Sequence, residues 1–372
     1  MSISVLMTAD AVGGVWTYAL DVSRALAQRD VRVALAVLGP PPSDTQRADV
    51  AELPNVTLYE HHGRLEWMEE PWADVAAAGQ WLLMLAETTR ADVIHLNGYC
   101  HGALAWPAPV VIVGHSCVLS WWEAVRAEPA PHHFDRYAEQ VTRGLRNAQV
   151  VIAPSAAMLH ALQTHYGPLP RGAVIPNGRY AADAMAHPKE PFILSAGRLW
   201  DEAKNVAAVC RVASRLRWPV RIAGDTTAPG RDNSNVVDFD TDNVTLLGRL
   251  GSDAMSAEMM RASIYVLPAR YEPFGLSVLE AAQAGCALVL GDIRSLRESW
   301  GDDALYVDPD NPPMLVETVS RLIDDERLRS VMSDRARDRA TSFSADRMGD
   351  RYCDLYSELM REVRPVLTLG AV

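Results

Sequence analysis

Ile264-Tyr265-Val266-Leu267-Pro268-Ala269-Arg270-Tyr271-Glu272-Pro273-Phe274-Gly275-Leu276-Ser277-Val278-Leu279-Glu280 passes from an apolar run through a loop into a helix. Ile264–Leu267 has the composition of a buried strand. Pro273 and Gly275 break the extended geometry, and Leu276–Ala284 continues in good helix formers. A helix starting there leaves N–H groups near Gly275 and Leu276 without intrahelical acceptors, which suits an anion such as a phosphate. Glu272 stands on the loop and Glu280 inside the helix. Two carboxylates flanking an anion-binding helix start are placed to accept hydrogen bonds from hydroxyl groups. A plain helix-dipole partner would account for Glu280 alone, not for the whole string.

The same strand–loop–helix unit repeats outward on both sides. After it come Ala287–Leu290 and Leu305–Val307; before it come Phe192–Ser195, Val220–Ala223 and Val244–Leu247. Further upstream the strand candidates are Ile3–Met7, Val31–Val37, Val56–Tyr59, Val93–Leu96, Val110–Val113 and Val150–Ala153, with amphipathic segments such as Thr17–Gln28 and Trp72–Thr88 between them. Apolar strands alternating with helices imply parallel sheets covered on both faces. Between the halves, Gly167-Pro168-Leu169-Pro170, Pro176-Asn177-Gly178 and His187-Pro188 are turn and breaker signals, which put a domain boundary near Asn177. Ser344–Met360 ends the pattern as a helix with Met348, Tyr352, Leu355, Tyr356 and Leu359 on one stripe.

Composition narrows the function. The chain has 372 residues, enough for two domains, and a net charge of −12 that disfavours nucleic-acid binding. No apolar run approaches the ~20 residues of a membrane span, and the N-terminus reads as a strand rather than a signal peptide. Cys100, Cys117, Cys210, Cys286 and Cys353 are dispersed, which points to a reducing cytoplasm and to no zinc or redox pair. Only Lys189 and Lys204 are lysine, against 33 arginines.

The glutamate–seven residues–glutamate string resembles the motif of retaining glycosyltransferases of the GT-B fold, most closely glycosyltransferase family 4, and the resemblance covers nearly the whole chain. It implies an α/β architecture of two Rossmann-like doubly wound domains with the active site in the interdomain cleft. Residues 1–177 would bind the acceptor and 178–345 the nucleotide-sugar, while the helix and tail 346–372 would pack back on the first domain. The implied co-substrate is a nucleotide-diphospho-sugar, with no metal and no other cofactor. By the resemblance Glu280 holds the ribose hydroxyls and Glu272 the donor-sugar hydroxyls. Phe274, Gly275 and Leu276 line sugar and diphosphate with backbone N–H groups, and Arg249-Leu250 meets the base.

Ser195-Ala196-Gly197-Arg198-Leu199-Trp200-Asp201-Glu202-Ala203-Lys204-Asn205 follows the first strand of the second half. Arg198 and Lys204 lie six apart across a turn, so both can point into one pocket and stabilise a departing diphosphate. The family places an arginine and a lysine in that role. A compact ammonium is not interchangeable with a guanidinium, so such a site would resist the arginine bias. The alternative for Lys204 is a surface pair with Asp201 or Glu202.

In the first half, Gly13-Gly14 links the first strand to the first helix and allows close backbone approach, in the family to donor phosphate or acceptor. The dinucleotide glycine fingerprint is absent, which disfavours a nicotinamide dehydrogenase. His115, in Gly114-His115-Ser116 at a strand end, could bond a sugar hydroxyl; the family often has histidine there, and a hydrogen-bonded core histidine is the alternative. His95 reads as structural, and Ser155 as a helix cap. Seven of the ten tryptophans fall in this half. Trp72 and Trp81 fit a buried helix face, while Trp16, Trp121 and Trp122 are candidates for stacking on an acceptor.

Asp240-Thr241-Asp242 is an Asp-x-Asp of the kind that binds metal in the other large glycosyltransferase fold, but it reads here as a solvated loop. His61-His62 and His132-His133 lack metal-ligand spacing and read as loop residues able to edge an acceptor site. Cys286-Ala287 after Gly285, and Gly291-Asp292-Ile293-Arg294-Ser295, depart from the family pattern, so sugar contacts are not carried over to that loop.

The sequence thus reads as a retaining, metal-independent hexosyltransferase of the cytoplasm. It would use a UDP-hexose first and GDP-mannose next, on a saccharide, lipid-linked or small-molecule acceptor, with room for peripheral membrane contact. A sugar-nucleotide epimerase, a disaccharide phosphorylase and a non-catalytic sugar-nucleotide-binding subunit are the alternatives.

Overall fold

The computed structural model describes residues 3–180, 188–224 and 243–363. The chain divides into two compact units: Met1–Trp122, Glu128–Gly178 and Ala345–Val372 form one, Glu123–Ala127 and Arg179–Ser344 the other.

Among the described residues, the first unit holds strands β1 (Ile3–Asp10), β2 (Val31–Gly39), β3 (Val56–His62), β4 (Val93–Leu96), β5 (Val110–Val113), β6 (Val150–Ala153) and β7 (Gly172–Val174). They form one sheet in the order β3-β2-β1-β4-β5-β6-β7, with every neighbouring pair parallel. Between them run helices α1 (Gly14–Ala27), α2 (Asp44–Ala51), α3 (Trp72–Thr89), α4 (Val118–Arg126, whose residues from Glu123 on fall in the second unit), α5 (Asp135–Asn147) and α6 (Ala156–Tyr166). Ser155 caps α6, its hydroxyl accepting from the Met158 N–H at 3.2 Å.

The second unit has β8 (Glu190–Ala196), β9 (Val220–Ala223), β10 (Val244–Gly248), β11 (Ala262–Leu267), β12 (Ala287–Gly291) and β13 (Leu305–Val307) in the order β10-β9-β8-β11-β12-β13, again all parallel. Its helices are α7 (Val206–Val212), α8 (Ser252–Arg261), α9 (Leu276–Gln283), α10 (Arg294–Trp300), α11 (Pro312–Asp324) and α12 (Glu326–Ala340). In each sheet the first strand sits between its second and fourth, so the crossovers reverse there. A switch point of this kind opens a crevice at the strand carboxyl ends, where ligands bind in such sheets. The first lies at β1/β4 and the second at β8/β11.

The last helix, α13 (Ala345–Val363), belongs to the first unit. Met348, Tyr352, Leu355, Tyr356 and Leu359 are all under 8% exposed. At about 2 kcal/mol per buried side chain, the stripe contributes on the order of 10 kcal/mol before ordering entropy is subtracted. A Cβ added at Gly349 would lie 2.5 Å from the Ala25 Cβ, so glycine is what lets α13 approach α1. Beneath it, fully buried His95 on β4 meets Tyr356 Oη at 2.5 Å through Nδ1 and Tyr18 Oη at 3.3 Å through Nε2. Desolvation, and then the nearby His115, pushes the His95 ring down to about 3, so it stays neutral. His95 is thus a structural histidine that pins the C-terminal helix to the sheet.

Candidate active site

In the second unit the carboxyl ends of β8 and β11 are neighbours, and each feeds a functional loop. The loop after β8 runs to Asn205, which caps α7 in the left-handed region at φ +53, a conformation asparagine tolerates. Asn205 is 3% exposed, and its amide donates to the carbonyls of Pro268 (3.0 Å) and Pro309 (2.8 Å). The Arg270 N–H donates to the Ala203 carbonyl at 2.8 Å. The two loops are therefore stitched together through backbone.

That stitching delivers Lys204 to Glu272. Lys204 Nζ donates to Glu272 Oε2, with the side chains 18% and 12% exposed. Glu272 Oε1 faces the Phe274 N–H at 3.3 Å, and the Glu272 carbonyl accepts from Ser295 Oγ at 2.5 Å. An ammonium has three donors, so Lys204 can hold Glu272 and still turn donors toward an anion. Lys204 does not form the surface pair with Asp201 or Glu202. Arg198 does pair with Asp201 (2.7 Å), which is 6% exposed and also accepts from the Ala203 N–H at 3.1 Å. The Arg198 guanidinium lies 4.9 Å from the centre of the Trp200 ring. The two cations leave one loop but rest on different carboxylates.

Gly275 precedes α9 at φ +92, and a Cβ there would come within 3.0 Å of Val278, so the turn needs glycine. The first-turn N–H groups of α9 lack intrahelical acceptors. The Phe274 side chain faces the core. It is 3% exposed and packs edge-on against Phe343 at 5.4 Å, and the Phe274 N–H already faces Glu272. An apolar ring gains more in that core than beside a sugar, so the Phe274 side chain supports the loop. Gly275 is also buried, whereas Leu276 and Glu280 are partly exposed.

Glu280 has a partner that the sequence reading missed. Arg179 Nη2 lies 2.8 Å from Glu280 Oε1, with the side chains 20% and 25% exposed. The Arg179 backbone is held by its N–H on the Phe343 carbonyl (3.0 Å) and by Gln283 Nε2 on its own carbonyl (3.4 Å). The available signal was an arginine directly after the Pro176-Asn177-Gly178 turn. Asp201, Asn205 and Ser295 were likewise not singled out as supports. Arg249 is exposed and Leu250 half-buried in the turn between β10 and α8. Asp240-Thr241-Asp242 lies outside the described residues.

In the first unit, Gly13 and Gly14 open α1 directly after β1, with Gly14 exposed. His115 follows β5, half-buried, its ring edge-on to Tyr18 at 4.5 Å. Asn97 Nδ2 donates to the Thr8 carbonyl at 2.7 Å, which turns Asn97 Oδ1 toward His115 Nε2 at 2.9 Å. An amide oxygen only accepts, so Nε2 carries the proton and Nδ1 is an acceptor. Burial lowers the ring to about 3 and keeps it neutral. His115 is thus suited to accept a hydrogen bond from a hydroxyl, not to act as a cation.

Trp16 requires a correction. It is 5% exposed and belongs to the buried stripe of α1 with Ala19, Val22 and Leu26, so it cannot stack on an acceptor. Trp121 and Trp122 on α4 are both half-buried and meet edge-to-face at 5.7 Å. Trp72 and Trp81 are half-buried rather than buried. Among the described residues no three His, Cys, Asp or Glu side chains group to hold a metal, and no helix is long and apolar enough to cross a membrane.

These features define the class: a GT-B protein of two Rossmann-like α/β units, each with a switch point at its strand carboxyl ends. The profile of Glycosyltransferase Family 4 matches residues 12–180, and that of Glycosyl transferases group 1 matches residues 181–339. The chain belongs to glycosyltransferase family 4. It is 26% identical over 417 aligned positions to a D-inositol 3-phosphate glycosyltransferase of Salinispora arenicola, covering 96% of this chain and 90% of that protein. It is 35% identical over 150 residues to an exopolysaccharide phosphotransferase of Streptomyces coelicolor, covering 38% of this chain and 16% of that protein. Three other relatives are matched over only 43–47% of their length, so the chain spans less than half of several curated relatives. Its fold is similar to that of sucrose-phosphate synthase from Thermosynechococcus elongatus, at a TM-score of 0.78 and 18% identity, with 97% of this chain and all of that one covered.

Proposed function

We propose that the chain transfers a hexosyl group from a nucleotide-diphospho-sugar to a hydroxyl acceptor with retention of configuration and without a metal. The observation that carries this reading is the Lys204–Glu272 pair at the start of α9, where a cation, a carboxylate and helix N–H groups stand within one loop cluster. In this reading Lys204 and Arg198 stabilise charge on the departing diphosphate, which grows as the bond to the sugar breaks. The first-turn N–H groups of α9 take a phosphate oxygen. Glu272 accepts from donor-sugar hydroxyls, and Glu280 accepts from the ribose. His115 accepts a hydroxyl through Nδ1.

The chemical step is a front-face displacement. The bond from the anomeric carbon to the diphosphate oxygen breaks, and the bond to the acceptor oxygen forms on the same face. The acceptor proton passes to the leaving diphosphate. A UDP-hexose is the first donor to test and GDP-mannose the second. The experiment screens both for thermal stabilisation, since ligand binding raises stability by mass action. Transfer is then followed by NMR of the new anomeric centre, with and without excess chelator. An α-donor giving an α-linked product with chelator present is expected. Inverted product, or activity lost to chelator and restored by manganese, overturns the proposal and returns attention to Asp240 and Asp242.

A further inference from the structure

The first unit contains a recess of about 630 Å³, counted out to its open mouth, lined by His61 but by none of the other residues named so far as acceptor candidates. It sits over the carboxyl ends of β1, β2, β3 and β4 and is closed by the segment Gly63–Trp67 and the start of α3. Asn97, which fixes the His115 tautomer, is part of its wall.

The lining includes apolar side chains, Leu38, Leu65 and Val75, with Trp67 at 38% exposure. It also carries the carboxylates Asp10, Glu66 and Asp74 and the imidazoles His61 and His101. All three carboxylates accept from backbone N–H groups. Asp10 Oδ1 accepts from Val12 at 2.9 Å, Glu66 from Tyr99 (3.0 Å) and Cys100 (2.8 Å), and Asp74 Oδ2 from Arg64 at 3.0 Å. An ionised carboxylate offers about four acceptor positions, so Glu66 and Asp74 keep capacity toward the recess. The one arginine in the wall, Arg64, is exposed and donates through Nη1 to the carbonyls of Glu69 (3.3 Å) and Glu70 (3.1 Å).

A ligand matched to fixed acceptors and to an indole with aliphatic groups has hydroxyl donors and an apolar face. Three carboxylates against one arginine make the recess repel a phosphate ester by like charge. We infer that this recess is the acceptor subsite and that it takes an unphosphorylated polyol ring. The assignment rests on the glycosyl-transfer reading above and adds to it the class of acceptor. The ring can be a free sugar or the terminal residue of a glycan; the two share the same hydroxyl-edged chemistry.

The test is saturation-transfer NMR on the full chain without donor. Hexoses, their methyl glycosides and their 6-phosphates are titrated against the native protein and against Trp67→Ala and Asp74→Asn. Nucleoside-diphosphate binding and the thermal midpoint serve as integrity checks. The parent sugar is expected to bind at least about tenfold more tightly than its 6-phosphate. Trp67→Ala, a change at an exposed position, should weaken binding by roughly 5- to 10-fold. Asp74→Asn should weaken it and narrow the discrimination against phosphate. Methyl glycosides binding as well as the free sugar identifies a glycan terminus, and binding of the reducing sugar alone identifies a free monosaccharide; both support the subsite. A 6-phosphate that binds as tightly as its parent overturns the inference, and so does sugar affinity that ignores Trp67 and Asp74. Absent transfer with intact polyol binding would instead sink the glycosyl-transfer reading, so the two failures are distinguishable.

Discussion

Replacing Lys204 perturbs two things at once, and the structure allows them to be separated. Lys204→Met removes a cation proposed to meet the diphosphate, and it also strands Glu272. That carboxylate is 12% exposed and would retain the Phe274 N–H at 3.3 Å. Breaking a buried ion pair from one side costs about 3–5 kcal/mol. With both side chains still touching solvent, about 2–3 kcal/mol is the appropriate range here. Glu272→Gln made together with Lys204→Met removes the stranded charge and should recover most of that loss. Turnover should behave differently. The single Lys204 variant should lose roughly 100- to 1,000-fold in kcat with a smaller change in donor affinity. The double variant should remain as slow, because neutralising Glu272 returns no positive charge to the leaving group. Urea unfolding and steady-state kinetics on the three variants and the native chain complete the cycle. Recovery of turnover in the double variant would mean that Lys204 acts only by neutralising Glu272. An unchanged unfolding midpoint in Lys204→Met would mean that the pair is not formed in solution.

Further consequences follow from other contacts. Glu280→Gln should weaken binding of the free nucleotide diphosphate and change kcat little. Arg179→Met should do the same to a smaller degree by releasing Glu280, and calorimetric titration reads both; loss of kcat with nucleotide affinity intact would reassign them. His95 and His115 are each lowered to about 3 against an ordinary value near 6.5. Their neutral forms therefore favour the fold above about pH 6.5, and that stability drains as the pH falls toward 3, at about 1.4 kcal/mol per unit per ring. A loss of about 4 kcal/mol between pH 7 and 5 should lower the urea midpoint, in a window above ordinary carboxylate titration; equal midpoints at the two pH values would refute neutral rings in the fold. Leu359→Ala, at 1% exposure on α13, should cost about 2–4 kcal/mol in the same assay.

Strands covered on both faces were the most legible part of the chain, because an unbroken apolar run leaves little choice of ends. Val93–Leu96, Val110–Val113 and Val150–Ala153 match their sequence limits to the residue. β1 runs three residues past its apolar run, through Thr8-Ala9-Asp10, since pairing with β2 continues where hydrophobicity stops. β7 was invisible, three residues lying among glycines and prolines and held by β6 alone. The stripe on α13 could be read from period alone, and so could the error at Trp16, three residues before Ala19 on the same stripe. The residues that bear on chemistry were found as loops, but their pairings were not. Lys204 and Glu272 are 68 positions apart and meet only because β8 and β11 are neighbours in the sheet. Arg179 reaches Glu280 across 101 positions for a similar reason: the strand order and the bridge from Arg179 to Ser344 bring the chain back beside α9. Local patterning therefore decides which residue types stand at the strand ends, while sheet order decides which of them share charge. The acceptor recess depends most on sheet order, being assembled from the ends of four strands, and Trp67 and Glu66 carry no motif of their own.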